Sequence, residues 1–407
     1  MKTHDIHHRL NVENNQLIFA GKSAEEIIAI AGGTPCYVYD KSLVVNRVKA
    51  LRSMLPETVK IHYAIKANPY APLVGQMVNH VDGFDVASHQ ELILALASGM
   101  PAANISFAGP GKSSQDLTAG VASGVIINVE SEHELNQIYA IAQQQQCRAN
   151  IALRVNPSFE LKNSGMSMAG GSKPFGIDAE NITAMLKKLD VDKVNIKGLH
   201  IFTGSQNLNA EALMQAQSNT FELAYQLLKE TGVEITHLNI GGGFGIPYFP
   251  NEKALDLTAV IDNLTKLLEK YQPLLGFKEI HLELGRYLVG EAGIYLSRVV
   301  DKKVSRGKTY LVVDGGMHHH LANSGNFGQV IRKNYPVVMP QEMGHNAPEK
   351  VNVVGPLCTP LDILANQINL APAKIGDVIA VLQSGAYGPT ASPQLFLSQP
   401  QVKELML

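Results

Sequence analysis

The chain has little of what would set it apart from ordinary globular proteins. Its 407 residues include three cysteines, Cys36, Cys147 and Cys358, too few and too scattered for a disulfide framework or a structural zinc site. Charge of neither sign dominates. With 34 basic against 36 acidic residues the formal charge is −2, so no global field favours nucleic acid or an anionic membrane. No apolar run reaches the ~18 residues of a membrane-crossing helix. The polar opening MKTHDIHHRL lacks the apolar core of a signal peptide. Low-complexity linkers are missing too, and the glutamine run 143–146 reads as a helix surface. These absences leave a cytoplasmic protein, without nucleic-acid or membrane partners, as the expectation. At 45% hydrophobic and 17% charged it has ample material for a large core, and its length suggests roughly two or three domains. Thirty-five glycines fall in clusters rather than evenly, which points to an enzyme.

What is present is a succession of short apolar segments separated by helical patterns. Strands are expected near residues 60–65, 83–87, 105–108, 125–129, 150–155, 197–202, 237–240 and 280–283. Between them, stretches such as 90–98, 132–143 and 210–229 place apolar residues three and four apart, which predicts helices. The strands are short and continuously apolar, as in a sheet covered on both faces. Eight strands alternating with helices over residues 41–285 match the ~250 residues of a (β/α)8 barrel. After Arg286 the segments GEAGIYLSRVVDKKVSRGKTYLVVDGG and DVIAVLQSG read as strands with tight turns. The first 40 residues (QLIFAGKS, then TPCYVYD) read as short strands as well. The expected architecture is therefore α/β. A TIM-type barrel over 41–285 is joined to a β-rich barrel or sandwich over 286–407, which takes in the strands of 1–40.

In such a barrel, functional groups stand at the C-terminal ends of strands. The first strand ends in HYAIKANPY, which places Lys66 after an apolar run. Partial desolvation there would lower its pKa and suit Schiff-base chemistry, although a surface lysine in a loop reads the same way. The seventh ends in Gly241-Gly242-Gly243-Phe244-Gly245, whose backbone N–H groups could close on a phosphate. A tight turn explains that run equally well. It does not match G-x-G-x-x-G, and no acidic residue ends a suitable next strand, so a dinucleotide fold is a poor reading. Ser205, at the end of the sixth strand, could give a hydroxyl to the same phosphate. The eighth ends in Glu283-Leu284-Gly285-Arg286, either an ion pair or two separate tools. An amine, a phosphate cradle and an acid at three strand ends are what pyridoxal phosphate requires.

With those positions in view, the chain resembles the fold-type III pyridoxal phosphate decarboxylases, the ornithine and diaminopimelate decarboxylase family. The likeness rests on YVYD, HYAIKANPY, GFDVASHQEL, SFAGPGKS, LRVNP, KPFGI, GLHIFTGSQ, NIGGGFGIPY, ELGRYLVGEAG, VVDGGMH, GPLCTPLD and GAYGPTASP. It is similar above all to the branch found beside exosortase systems, and also to decarboxylases of carrier-protein-bound glutamate. The resemblance implies pyridoxal 5′-phosphate as cofactor and a homodimer with composite sites. Lys66 would hold the cofactor through its amine, and Glu283 would keep the pyridine nitrogen protonated. Gly242, Gly243, Ser205, Gly285 and Arg286 would surround the phosphate, with a hydroxyl from Tyr387. Cys358 and Asp362 match the family's C-x-x-x-D; the cysteine would reach the neighbouring subunit's site as proton donor. Asp85 and Arg154 match positions near the lysine, though either could be a satisfied structural charge.

Several positions depart from the family. Its usual ring-facing histidine is Phe202 here, which can stack on pyridine but cannot titrate, while His200 matches the preceding strand position. Diaminopimelate decarboxylases carry an arginine soon after D-x-G-M; here Asp314 is followed by no arginine before Arg332. Where they have an acid after the cysteine, this chain has Thr359. Missing partners for distal charges argue against a free diamino acid. Consecutive His318, His319 and His320 do not converge like metal ligands, so loop or substrate contacts are expected of them and no metal. The expected activity is decarboxylation of an amino acid or aminoacyl substrate, with Arg286, Cys358, Thr359, Asp362 and Tyr387 on the substrate side. The alternatives are diaminopimelate decarboxylase proper and an amino-acid racemase of the same fold. Racemases pair the pyridine nitrogen with arginine, and Glu283 speaks against that.

Overall fold

The eight apolar runs fold into eight parallel strands. A computed structural model describes residues 4–162, 165–327, 332–345 and 347–407. The strands are β1 (Val59–Ala64), β2 (Gly83–Val86), β3 (Ile105–Phe107), β4 (Ile126–Val129), β5 (Ala149–Asn156), β6 (Val194–His200), β7 (His237–Gly242) and β8 (Glu279–Leu284). β8 pairs with β1 and β4 with β5, so the ring closes and no edge is left open. β2 and β4 are buried along their whole length, which is why they read as continuous rather than alternating apolar runs.

The intervening helices follow their caps as well as their periodicity. Ser131 accepts the Glu134 N–H to start Glu132–Gln144, whose Leu135, Ile138 and Ile141 form the buried face. Asn209 opens Ala210–Thr231, and Gly232, in the left-handed region at φ 68°, ends it. This barrel unit comprises Arg47–Ile246 and Leu255–Gly285.

The second unit, Met1–Asn46, Pro247–Ala254 and Arg286–Leu407, is a mixed, nearly closed β-sheet. Its central strand, Gly293–Ser305, pairs through its first half with Cys36–Tyr39 and Val378–Val381 and through its second half with Lys308–Val313. Lys308–Val313 runs parallel to Glu349–Val354, and Lys403–Met406 parallel to Cys36–Tyr39. Leu17, Ile27, Val38, Leu296, Val378 and Ala380 meet in its core. Two elements differ from the all-strand reading of the N-terminus, because Asp5–Arg9 is a short 3₁₀ helix and Ala24–Ala31 an α-helix. Ser23 and Glu26 cap the α-helix reciprocally, Gly32 at φ 76° terminates it, and Ile27 and Ile28 are buried. Among the described residues no helix is long and apolar enough to cross a membrane.

Candidate active site

The C-terminal ends of β1 and β8 lie side by side, with Leu284 opposite Tyr63. A Cβ on Gly285 would stand 2.8 Å from that of Ala67, so glycine lets the two strand ends pass. Glu283 and Lys66 thereby come to the same end of the barrel. Lys66 stands in the single turn Ile65–Ala67 that follows β1. The expected desolvation is not found: its side chain is exposed, because it sits beyond the strand rather than within it. Its Nζ lies 5.6 Å from the Phe202 ring centroid.

Glu283 is buried, and its Oε1 accepts a hydrogen bond from Asn239 Nδ2 at 2.8 Å. His200 Nε2 lies 3.2 Å from the same oxygen. Burial alone would raise this carboxyl, but His200, Lys66 and the Asn239 amide outweigh it and hold it well below the usual carboxylate range. Asp85, at the end of β2, goes the other way. Burial, and then the Glu283 charge, push it well above the usual range. The two buried carboxyls are thus driven in opposite directions, the pattern that separates an acid from a base within one site.

The glycine turn after β7 is shaped by close contacts. A Cβ on Gly242 would lie 2.3 Å from the Glu283 carbonyl oxygen, and one on Gly241 2.8 Å from the Phe202 ring. Gly243, at φ 77°, carries its backbone past the Gly204 carbonyl. Asn239 joins turn to acid, since its Oδ1 accepts the Gly241 N–H at 2.9 Å. Ser205 is half-buried in the short strand Gly204–Ser205. Arg154 is the satisfied charge of the two that were ambiguous: its Nη1 donates to Glu130 Oε1 at 2.7 Å, and Glu130 also accepts the N–H groups of Gly109 and Gly176. Sequence reasoning missed Asn239 and gave His200 no role. The available signal was two-residue spacing, which puts Asn239 on one face with Gly241, and His200 with Phe202.

In the β unit, Arg286 is surrounded by tyrosines. Its Nη1 donates to the Tyr248 hydroxyl at 3.2 Å, and the Tyr387 ring centroid is 4.6 Å from its Cζ. Tyr335 packs on Tyr248 at 4.5 Å. Burial would lower the guanidinium's pKa, but the phenols outweigh it and raise it. Tyr387 holds a left-handed backbone at φ 53°, a strained state for a bulky residue.

Cys358 is a free, exposed thiol and Thr359 beside it is half-buried. Asp362, expected on the substrate side, is instead buried. Its Oδ1 accepts the Met317 N–H at 2.6 Å and its Oδ2 the Leu357 N–H at 2.9 Å. Gly316 and Gly355 leave room for that carboxylate, which anchors the cysteine loop. His319 and His320 are buried, bonding the Pro400 carbonyl and the Ser384 hydroxyl. Arg332 donates to the carbonyls of Ser324 and Ile363.

Comparison with known proteins gives the same class. The family model for the pyridoxal-binding domain of pyridoxal-dependent decarboxylases matches residues 41–290. The L-glutamyl-[BtrI acyl-carrier protein] decarboxylase of Niallia circulans is 34% identical over 382 residues, covering 92% of this chain and 88% of that protein. Diaminopimelate decarboxylase of Aquifex aeolicus is 33% identical over 403 residues, covering 98% and 92%. Among solved structures, diaminopimelate decarboxylase from Helicobacter pylori complexed with L-lysine superposes with a TM-score of 0.83 at 26% identity, covering 94% of each chain.

Proposed function

This chain belongs to the pyridoxal-dependent amino-acid decarboxylases of fold type III, and we propose that its substrate is an aminoacyl group presented on a carrier protein. The enzyme is a carboxy-lyase with pyridoxal 5′-phosphate as cofactor. The residues present fit that group. An accessible amine, a buried carboxylate held ionised and a turn of glycines with room for no side chain belong to one barrel unit. When bound, the cofactor supplies the electron sink for the bond broken as carbon dioxide leaves.

The protein's part is to bind and orient. Lys66 would hold the cofactor through its amine. Glu283, kept ionised by Asn239 and His200, would retain the proton on the pyridine nitrogen. Phe202 would offer its face to the ring. Gly242, Gly243, Gly285 and Ser205 would take the phosphate, a role the resemblance also gives Arg286 and Tyr387. Arg154, paired with Glu130, and Asp85 would flank the mouth, and Cys358 would give the proton to the product of a neighbouring subunit in a cytoplasmic homodimer. Asp362 positions Cys358 by anchoring its loop.

The observation that carries the substrate reading is the lack of distal clamps. Thr359 stands where the family's diamine enzymes have an acid. Arg332, the first arginine after Asp314, is committed to backbone carbonyls. The Niallia relative acts, by its name, on a glutamyl group carried on an acyl-carrier protein. A racemase is not favoured, because Glu283 rather than arginine stands at the end of β8. The test is single-turnover mass spectrometry with glutamyl and other aminoacyl carrier proteins against free meso-diaminopimelate, ornithine and lysine. Loss of carbon dioxide from the carrier-bound group is expected, with free diamino acids slower by about ten- to a hundredfold, as one lost charge-assisted hydrogen bond predicts. Efficient turnover of free diaminopimelate would overturn the reading.

A further inference from the structure

At the other end of the barrel, the N-terminal ends of the strands surround a cavity of about 510 Å³. Lys60, Asp82, Asn104, Lys197 and Glu279 line it, and so do three histidines, His62, His237 and His281. The imidazoles form a stack. His62 and His281 have ring centroids 4.2 Å apart, and His281 and His237 4.3 Å apart at 5° between planes. All three are buried. The backbone makes room for them, since a Cβ on Gly83 would lie 2.5 Å from His62 Cε1 and one on Gly198 2.8 Å from His237 Nε2. Barrel interiors are ordinarily filled by layers of branched apolar side chains. Burying three imidazoles in that place costs desolvation that leucine or isoleucine would not.

His62 connects this floor to the mouth. Its ring lines the cavity, while its Nδ1 lies 3.5 Å from Asp85 Oδ1. Among the described residues His62 Nδ1 has no hydrogen-bond partner, and neither has either carboxyl oxygen of Asp85. The charged and titratable groups facing Asp85 are His62, Glu283, His200, His281 and Lys66; those facing His62 are Asp85, His281, His237, Glu283, Asp82 and Glu279. Burial pushes His62 down to about 4, so it is neutral at pH 7, whereas burial and the Glu283 charge push Asp85 up, toward its protonated form. A neutral imidazole carries one N–H and one lone pair, and can give a proton at one nitrogen while taking one at the other.

We propose that His62 passes protons between the floor cavity and the Asp85 carboxyl, with its ring stacked on His281 and His281 in turn on His237. In decarboxylation the C–C bond to the carboxylate breaks, carbon dioxide leaves, and the electron pair left on carbon takes up a proton. Each turnover therefore draws one proton from solvent. Asp85 gives its proton to the Lys66 amine, which faces it, in place of the one the product carbon has taken up. His62 Nδ1–H restores the Asp85 proton while Nε2 takes one from solvent in the cavity, and a half-turn of the ring about Cβ–Cγ brings the new N–H back toward Asp85 for the next turnover. Such a route stays open while a substrate covers the mouth. The proposal rests on the decarboxylation common to the family and not on the carrier-bound substrate.

His62→Phe keeps a ring in the stack but offers no nitrogen. In the holoenzyme we expect kcat to fall on the order of 10²-fold, with a larger solvent deuterium isotope effect and with KM and the cofactor's absorbance unchanged. In His62→Gly, imidazole added to the buffer should restore turnover with saturation. Independently of turnover, the His62 ¹⁵N signals of histidine-labelled holoenzyme should shift when Asp85 is changed to Asn. That readout survives even if the preferred substrate has been misassigned. A folded His62→Phe enzyme with wild-type kcat and isotope effect would overturn the proposal, as would loss of absorbance or a proportional change in KM, which signal packing alone. So would ¹⁵N signals indifferent to Asp85→Asn, a result that stands even if His62→Gly fails to fold.

Discussion

Changing Asn239 to leucine removes two hydrogen bonds from one buried point of the barrel mouth. The amide Nδ2 donates to the ionised Glu283 at 2.8 Å, and Oδ1 accepts the Gly241 N–H at 2.9 Å. A hydrogen bond to a charged group is worth ~1.5–3 kcal/mol, and a buried N–H left without a partner costs ~1–3 kcal/mol. The two losses share one residue and do not simply add; about 3 kcal/mol is the expected loss of stability at pH 7. Losing the donor also relaxes Glu283 upward, because the Asn239 amide is one of the groups that hold it down. The sign follows from the direction of its shift. Glu283 is depressed in the folded protein, so its contribution is fully present above the unfolded carboxylate's pKa and is lost as pH falls through the folded one. In Asn239→Leu that loss begins at higher pH. Urea denaturation between pH 3 and 7, with cofactor absorbance followed over the same range, measures both effects. Asn239→Asp separates them. It keeps the acceptor for Gly241 but sets a second carboxyl against Glu283, which raises the pair's pKa while sparing most of the backbone bond. If both variants match the wild type in stability and in acid limb, Asn239 does not hold Glu283 ionised and the electrostatic account of the mouth fails.

Three further outcomes are expected. Lys66→Ala should lose the visible absorbance of purified protein and all turnover, and a coloured, borohydride-reducible variant would contradict the assignment. Mixing that variant with Cys358→Ala should restore activity through hybrid dimers with one intact composite site; failure after demonstrated subunit exchange would place the cysteine within its own chain's site. Gly242→Ala puts a methyl 2.3 Å from the Glu283 carbonyl, and should cost about 1–3 kcal/mol or more in denaturant titration by forcing β7 from β8.

The sequence by itself determined the barrel, because a strand buried on both faces announces itself as a short, unbroken apolar run and the eight runs are local signals. It also placed Lys66, Glu283 and the glycine turn, since each ends such a run. The N-terminal helix was legible too, in the reciprocal Ser23–Glu26 cap, but apolar flanking strands obscured it. Tertiary structure decided which groups meet. His200, Asn239 and Glu283 stand on three successive barrel strands, and only ring closure in register turns them into one ionised acid with its donors. The same closure stacks His62, His237 and His281, couples Arg154 to Glu130 and, in the other unit, folding turns Asp362 inward on backbone N–H groups. Charge partnership depends on distances across the chain fold, and residue spacing along one strand carries no information about them.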